Sequence, residues 1–131
     1  MAQGRWRTDP EREETRTWSR EEVDRFLAAA AGTRYQALWI VLLGTGMRCG
    51  EALGLRCSDI DGERNILRIA QVAMVTGGQV ILRPSRSTAA RRIIPVTPEV
   101  TQALREEQAH HDERRRVADP GWPARPRSGR R

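Results

Sequence analysis

Gly44-Thr45-Gly46-Met47-Arg48-Cys49-Gly50-Glu51-Ala52-Leu53 is the stretch that decides how this chain is read. Gly44 and Gly46 let the backbone turn tightly and start a new helix near Met47. The amides at such a start are free and favour an anion. Arg48 in the first turn can add a charge-assisted fork to phosphate oxygens. Glu51, three residues on and on the same face, can orient that guanidinium. On spacing alone, an ordinary i,i+3 ion pair on a surface helix describes Arg48 and Glu51 better than a binding site does.

Working backwards from this stretch, Leu38–Leu43 is apolar on all sides, as expected of a buried helix, and Thr33 can cap it. Ser19 and Glu22 form a capping box, and Val23, Phe26, Leu27 and Ala30 follow at helical spacing, so a first helix should run to about Ala31. Working forwards, Asp61–Asn65 is a turn, and Ile66, Leu67, Ile69, Val72 and Val75 belong to a β-rich stretch. Gly77-Gly78 is a hairpin tip with Gln79–Leu82 returning, and Arg92–Val96 is a third short strand. Thr97-Pro98-Glu99 starts a last helix, with a cap, a first-turn proline and an acid at the positive dipole end; it should reach about Arg116. The fold class expected is α+β: mainly helical, with a small three-stranded antiparallel sheet arranged as a meander.

The chain has 131 residues, and all 23 of its basic residues are arginine. Tyr35 is the single tyrosine, and His110 and His111 are the two histidines. The net charge of +6 lies entirely in Arg114–Arg131, so it describes a tail rather than a binding face. Arg83, Arg86, Arg91 and Arg92 fall within ten residues with no acid among them, which is the more informative basic cluster. Cys49 and Cys57 fit no disulfide or metal spacing, and the longest apolar stretch is too short to span a bilayer. No arginine-rich start with an apolar run behind it marks a signal peptide. The expectation is a cytoplasmic protein with no metal, no cofactor and no membrane. Trp6, Trp18, Trp39 and Trp122 are too scattered to make a stacking platform for bases, and Trp39 should pack in the core.

Several of these segments together resemble a family. Gly44–Leu55 after a buried helix is similar to the first arginine box of tyrosine recombinases of the phage-integrase type. Thr17–Val23 is similar to the family's start of the catalytic domain, and Cys57–Asp61 to the segment before its sheet, although an aromatic is more usual at Cys57. Arg91–Val96 followed by Thr97–Val100 is similar to its third strand and next helix. Four segments in the family's order reverse the preference for a plain ion pair at Arg48. The resemblance covers about residues 17–117, an incomplete catalytic domain, with a flexible lead-in over 1–16 and a disordered Arg/Pro-rich tail over 118–131.

In that family a tyrosine attacks a DNA phosphodiester without metal or nucleotide cofactor, two arginines and a histidine hold the phosphate, and a lysine protonates the leaving oxygen. The resemblance makes Arg48 the first phosphate-binding arginine and Glu51 the acid that positions it. The lysine slot falls on Arg86, which can hold phosphate but donates protons poorly. His111-Asp112-Glu113-Arg114 has the literal His-x-x-Arg pattern, but comes too early and on a polar helix, so a solvated face is expected. Tyr35 precedes Arg48 by 13 residues, whereas the family's nucleophile is late, so Tyr35 should pack beside Trp39 and no nucleophile is assigned. Arg83, Arg91 and Arg92 could contact backbone phosphates, or be strand-edge charges that block aggregation.

The reading favoured is a truncated tyrosine recombinase, inactive alone, that binds double-stranded DNA through its phosphates at most. A frameshift or gene-end remnant would account for the Pro/Arg/Gly/Ser string after Trp122. The alternatives are a non-catalytic DNA-binding module that modulates an intact recombinase, and a remnant with no activity.

Overall fold

Ser19 opens the first helix as its spacing to Glu22 predicts. The Ser19 hydroxyl accepts the Glu22 N–H at 3.2 Å, and the Glu22 carboxylate accepts the Ser19 N–H at 2.8 Å, so two amides left free by the helix start are satisfied. The structure is a computed structural model that describes residues 15–121. Most of the expected lead-in and of the expected tail, with Trp6 and Trp122, therefore lies outside the described residues. Helix α1 spans Arg20–Ala30, α2 Gln36–Thr45, α3 Cys49–Leu53 and α4 Pro98–Ala118. Strands β1 (Ile60–Asp61), β2 (Ile66–Ile69), β3 (Gln71–Thr76), β4 (Gln79–Pro84) and β5 (Arg92–Pro95) lie between α3 and α4.

Thr33 does not cap α2. Its hydroxyl donates back to the Ala30 carbonyl at 2.7 Å, and Tyr35 holds the cap position without a side-chain hydrogen bond. The break expected over Gly44-Thr45-Gly46 falls at the last of the three. The helix continues to Thr45 and ends at Gly46, whose φ of +65° suits the left-handed turn there. Gly44 stays helical and bare because α4 crosses at that point: a Cβ would meet Val100 Cγ2 at 2.7 Å.

The expected meander is replaced by two separate sheets. β2 lies between β1 and β5, antiparallel to both, with Leu67 opposite Ile94, and this makes the three-stranded sheet. β3 pairs with β4 alone, from Gln71 opposite Pro84 to Thr76 opposite Gln79. The long apolar run therefore divides at Ala70. Ser85 N–H donates to the Ala70 carbonyl at 2.9 Å, and the Gln71 side chain donates to the Gly54 carbonyl at 2.8 Å, tying the ribbon to α3.

Val41, Met47, Leu67, Ile69 and Val100 form the buried core, flanked by Ile40, Leu55, Ile94, Val96 and Leu104. The sheet and α4 thus close over α2, and α3 emerges from the core at Met47. Trp39 is not in this core: it is 37% exposed and meets Phe26 edge-on at 5.3 Å, with Trp18 on the other side of Phe26 at 5.1 Å. Tyr35 lies one turn before Trp39, whose N–H donates to the Tyr35 carbonyl at 3.1 Å, and no ring contact joins the two among the described residues. As a cap it stands outside the helical face, 56% exposed, with the Arg34 guanidinium 5.9 Å from its ring centre.

α3 and β3 meet through Gly50 and Gly54. A Cβ on Gly50 would come within 2.8 Å of Val72 Cγ1 and 2.9 Å of the Ala73 carbonyl oxygen. The carbonyl is main chain and cannot step aside, so Gly50→Ala is expected to cost about 1–3 kcal/mol through overpacking. Thermal unfolding measures this, and an unchanged melting temperature would show that the ribbon is not seated on α3.

Candidate functional site

The site grows from the end of α2. Met47 is buried, and its N–H reaches the Thr45 hydroxyl at 3.2 Å, so the chain entering α3 is held from beneath. Arg48 follows in an extended conformation as the cap residue, exposed. Among the described residues its guanidinium makes no hydrogen bond or ion pair. Glu51, one turn on, is only 5% exposed.

The Glu51 carboxylate holds an arginine, but through a different pairing from the expected one. Its Oε2 accepts the Arg48 backbone N–H at 3.0 Å. Its Oε1 accepts Nη1 of Arg92 and its Oε2 accepts Nη2, both at 2.9 Å. Glu51 therefore fixes Arg48 through the main chain, while the Arg48 guanidinium adds only a charge attraction and no hydrogen bond to the carboxylate. The Arg92 side chain, 39% exposed, is drawn onto Glu51 instead of standing apart as the phosphate contact expected of it. The partner of Glu51 was missed because it lies 41 residues away. An acid one turn after a buried methionine was the available signal, since carboxylates are rarely buried without a cation.

The other expected contacts lie at the end of β4 and in the loop that leads to β5. Arg83 and Arg86 are exposed, and neither makes an ion pair among the described residues. Arg91 is also exposed and donates from Nε to the Ser85 carbonyl at 3.3 Å. Ser85 itself is buried, and its hydroxyl has no hydrogen-bond partner among the described residues. The cluster carries no acid of its own, and Glu51, the carboxylate bonded into it, is neutralised by Arg92.

The hydrogen bonds from Arg92 hold the Glu51 carboxyl below its ordinary range, against the opposing effect of burial; the same contact raises Arg92. Burial acts to raise Asp59, but the Arg56 side chain and amide outweigh it and the net shift is downward. Both carboxylates are thus lower in the folded chain than in the unfolded one. Their contribution to stability is complete above the ordinary carboxylate range and is lost as pH falls through the lowered folded values. The melting temperature is expected to hold down to about pH 5 and then fall. A flat profile to about pH 3 would remove these carboxylates from the stability of the fold.

Tyr35, His111 and Arg114 line a groove of about 680 Å³, together with Leu53, Leu82 and Leu104, at the far side of α3. None of Arg48, Glu51, Arg86, Arg91 and Arg92 lines it. Arg114 is taken by Glu107 at 2.7 Å, so the literal His-x-x-Arg pattern does not offer a free arginine. Tyr35 and Arg48 flank opposite ends of α2, whose 10 residues set them roughly 15 Å apart along the axis. Cys49 is exposed and Cys57 half-buried, and among the described residues no group of three potential ligands could hold a metal. No helix there is long and apolar enough to cross a membrane.

Residues 16–119 match the profile of the Phage integrase family. The chain belongs to the phage integrase family. A tyrosine recombinase XerC-like protein of Caldanaerobacter subterraneus subsp. tengcongensis is 33% identical over 92 residues, covering 70% of this chain and 22% of that protein. The Tn1549 transposon integrase in complex with circular intermediate DNA is 25% identical with a TM-score of 0.64, covering 75% of this chain and 33% of its own. The XerA recombinase crystal structure is 27% identical with a TM-score of 0.58, covering 79% and 33%. The chain thus spans about a third of the solved relatives and about a fifth of the curated one. Its helices and small antiparallel sheets match the fold of these neighbours over that third. Within this family, the first-box resemblance of Gly44–Leu55 falls where the structure presents an exposed arginine on a buried, doubly anchored carboxylate.

Proposed function

We propose that residues 17–117 bind double-stranded DNA in the cytoplasm through its backbone phosphates, with Arg48 at the centre and Arg83, Arg86 and Arg91 flanking it. The observation that carries this reading is the exposed Arg48 guanidinium at the start of α3, beside an acid that is already neutralised. An arginine that spends none of its side-chain N–H groups on a carboxylate has its fork available for phosphate oxygens. The Tn1549 integrase in complex with circular intermediate DNA supports the choice of ligand. Phosphate contacts position a protein on DNA without specifying sequence, so little preference among duplexes is expected.

The same chain does not cut a strand by itself. Tyr35 sits at the far end of α2, and Arg86 in the lysine slot is too basic to deliver a proton. Two measurements test the reading. Duplex affinity should fall steeply and log-linearly with salt, because bound cations are released from the DNA as arginines replace them. Incubation with nicked duplex should give no covalent protein–DNA adduct. No measurable affinity at low salt would sink the phosphate reading, and a Tyr35-dependent adduct would overturn the statement on cleavage.

A second reading is that the chain modulates an intact recombinase. The exposed apolar residues Leu53, Val75, Val80 and Leu82 favour it, since they leave part of α3 and the ribbon open to a protein partner. It predicts that adding the chain changes the rate at which such a recombinase cleaves duplex DNA. An unchanged rate at saturating chain counts against it.

A further inference from the structure

Arg92 differs from the other arginines near it. Its Nη1 and Nη2 each lie 2.9 Å from a different Glu51 oxygen, and Nη1 also donates to the Ala90 carbonyl at 3.3 Å. Most of its N–H groups are therefore spent inside the protein. Glu51 is buried and also accepts the Arg48 amide. One carboxylate thus joins the start of α3 to the end of the loop that carries Arg86 and Arg91, across 41 residues of sequence. Arg91, the adjacent residue, ties the same loop back to the Ser85 carbonyl.

We propose that Arg92 is a positioning residue: through Glu51 it fixes how Arg48 and the Ser85–Arg91 loop face a DNA phosphate backbone, and it does not itself hold the phosphate. The proposal rests on the phosphate-binding reading and names how that site is kept in register. A bidentate guanidinium–carboxylate pair suits this task because two parallel bonds fix an angle as well as a distance. Lysine offers a point charge without that fork.

The sign of one substitution separates this from plain electrostatics. If Glu51 were only a negative charge near a polyanion, Glu51→Gln would strengthen DNA binding. If it links Arg92 to Arg48, the same change weakens binding. The experiment measures duplex affinity over a salt series for the full chain, Glu51→Gln, Arg92→Gln, the double variant, Arg92→Lys and Arg48→Ala. Circular dichroism confirms that each variant is folded before its affinity is read.

Each single change at Glu51 or Arg92 is expected to weaken binding about tenfold, as is Arg92→Lys, with the double variant no weaker than the singles. The salt slope should stay unchanged in these variants and fall by about one in Arg48→Ala, because only Arg48 loses a phosphate contact. Tighter binding by Glu51→Gln, full rescue by Arg92→Lys, or a lowered slope in Arg92→Gln would each overturn the proposal. Exchange of the Arg48 amide gives a readout without DNA: it should speed up in both single variants, and unchanged protection overturns the link. Absence of duplex affinity in the unmodified chain would instead defeat the phosphate reading on which the proposal stands.

Discussion

Arg48→Ala is expected to lower affinity for duplex DNA by about 10- to 100-fold, since hydrogen bonds to charged groups contribute about 1.5–3 kcal/mol each. The argument starts from what surrounds the side chain. Arg48 is exposed, so its removal opens no cavity, and it makes no ion pair among the described residues, so no acid is left alone. The main-chain contact to Glu51 survives the substitution because it uses the amide. Stability should therefore change by no more than about 0.5 kcal/mol while binding falls. Fluorescence anisotropy with a labelled duplex, read beside a thermal melt, separates the two effects. Unchanged affinity in a folded variant would remove Arg48 from the interface.

Glu51→Ala weakens binding as well, but its larger effect is on stability. Glu51 is almost fully buried, and it serves both the Arg92 fork and the Arg48 amide. Breaking a buried ion pair by deleting one member costs about 3–5 kcal/mol when the other is left desolvated. The Arg92 side chain retains 39% of its exposure and can recover some hydration, which brings the expected loss to about 2–3 kcal/mol. For a domain of this size that is a fall of roughly 10 °C in melting temperature. Arg114→Ala is the useful contrast. The Arg114–Glu107 pair is shorter, at 2.7 Å, but Arg114 is exposed and Glu107 only half-buried, so its loss should change stability by less than about 0.5 kcal/mol. Equal melting temperatures for Glu51→Ala and the unmodified chain would mean that the carboxylate does not hold α3 in place.

What could be read from sequence follows the reach of each interaction. The Ser19–Glu22 box, the Gly77-Gly78 turn and the Thr97-Pro98 helix start are all decided within four residues, and each is where its spacing placed it. The division at Ala70 was not legible, because the alternation of Ile66–Val75 is equally good for one long strand or two short ones. What decides it is the anchoring of Gln71 on Gly54, seventeen residues back. The basic cluster was legible as a cluster, but not its inner division. Arg91 and Arg92 are alike as letters, yet neighbours at the start of a strand point to opposite sides. One meets Glu51 and the other does not, and only the approach of the start of β5 to that carboxylate says which. Trp39 misled for a related reason: a large aromatic on an apolar helix reads as core, whereas it meets Phe26, itself in contact with Trp18, at the rim.

The glycine seam between α3 and the ribbon has a consequence for how this architecture is inherited. At Gly50 and Gly54 the nearest neighbours are largely carbonyl and amide groups of β3, so the joint is made of main chain on both sides. Such a joint has little vocabulary to lose: residues around it can be exchanged while its spacing stays the same. Divergence is free to rewrite the faces of the helix and the ribbon, provided that two positions keep no side chain at all.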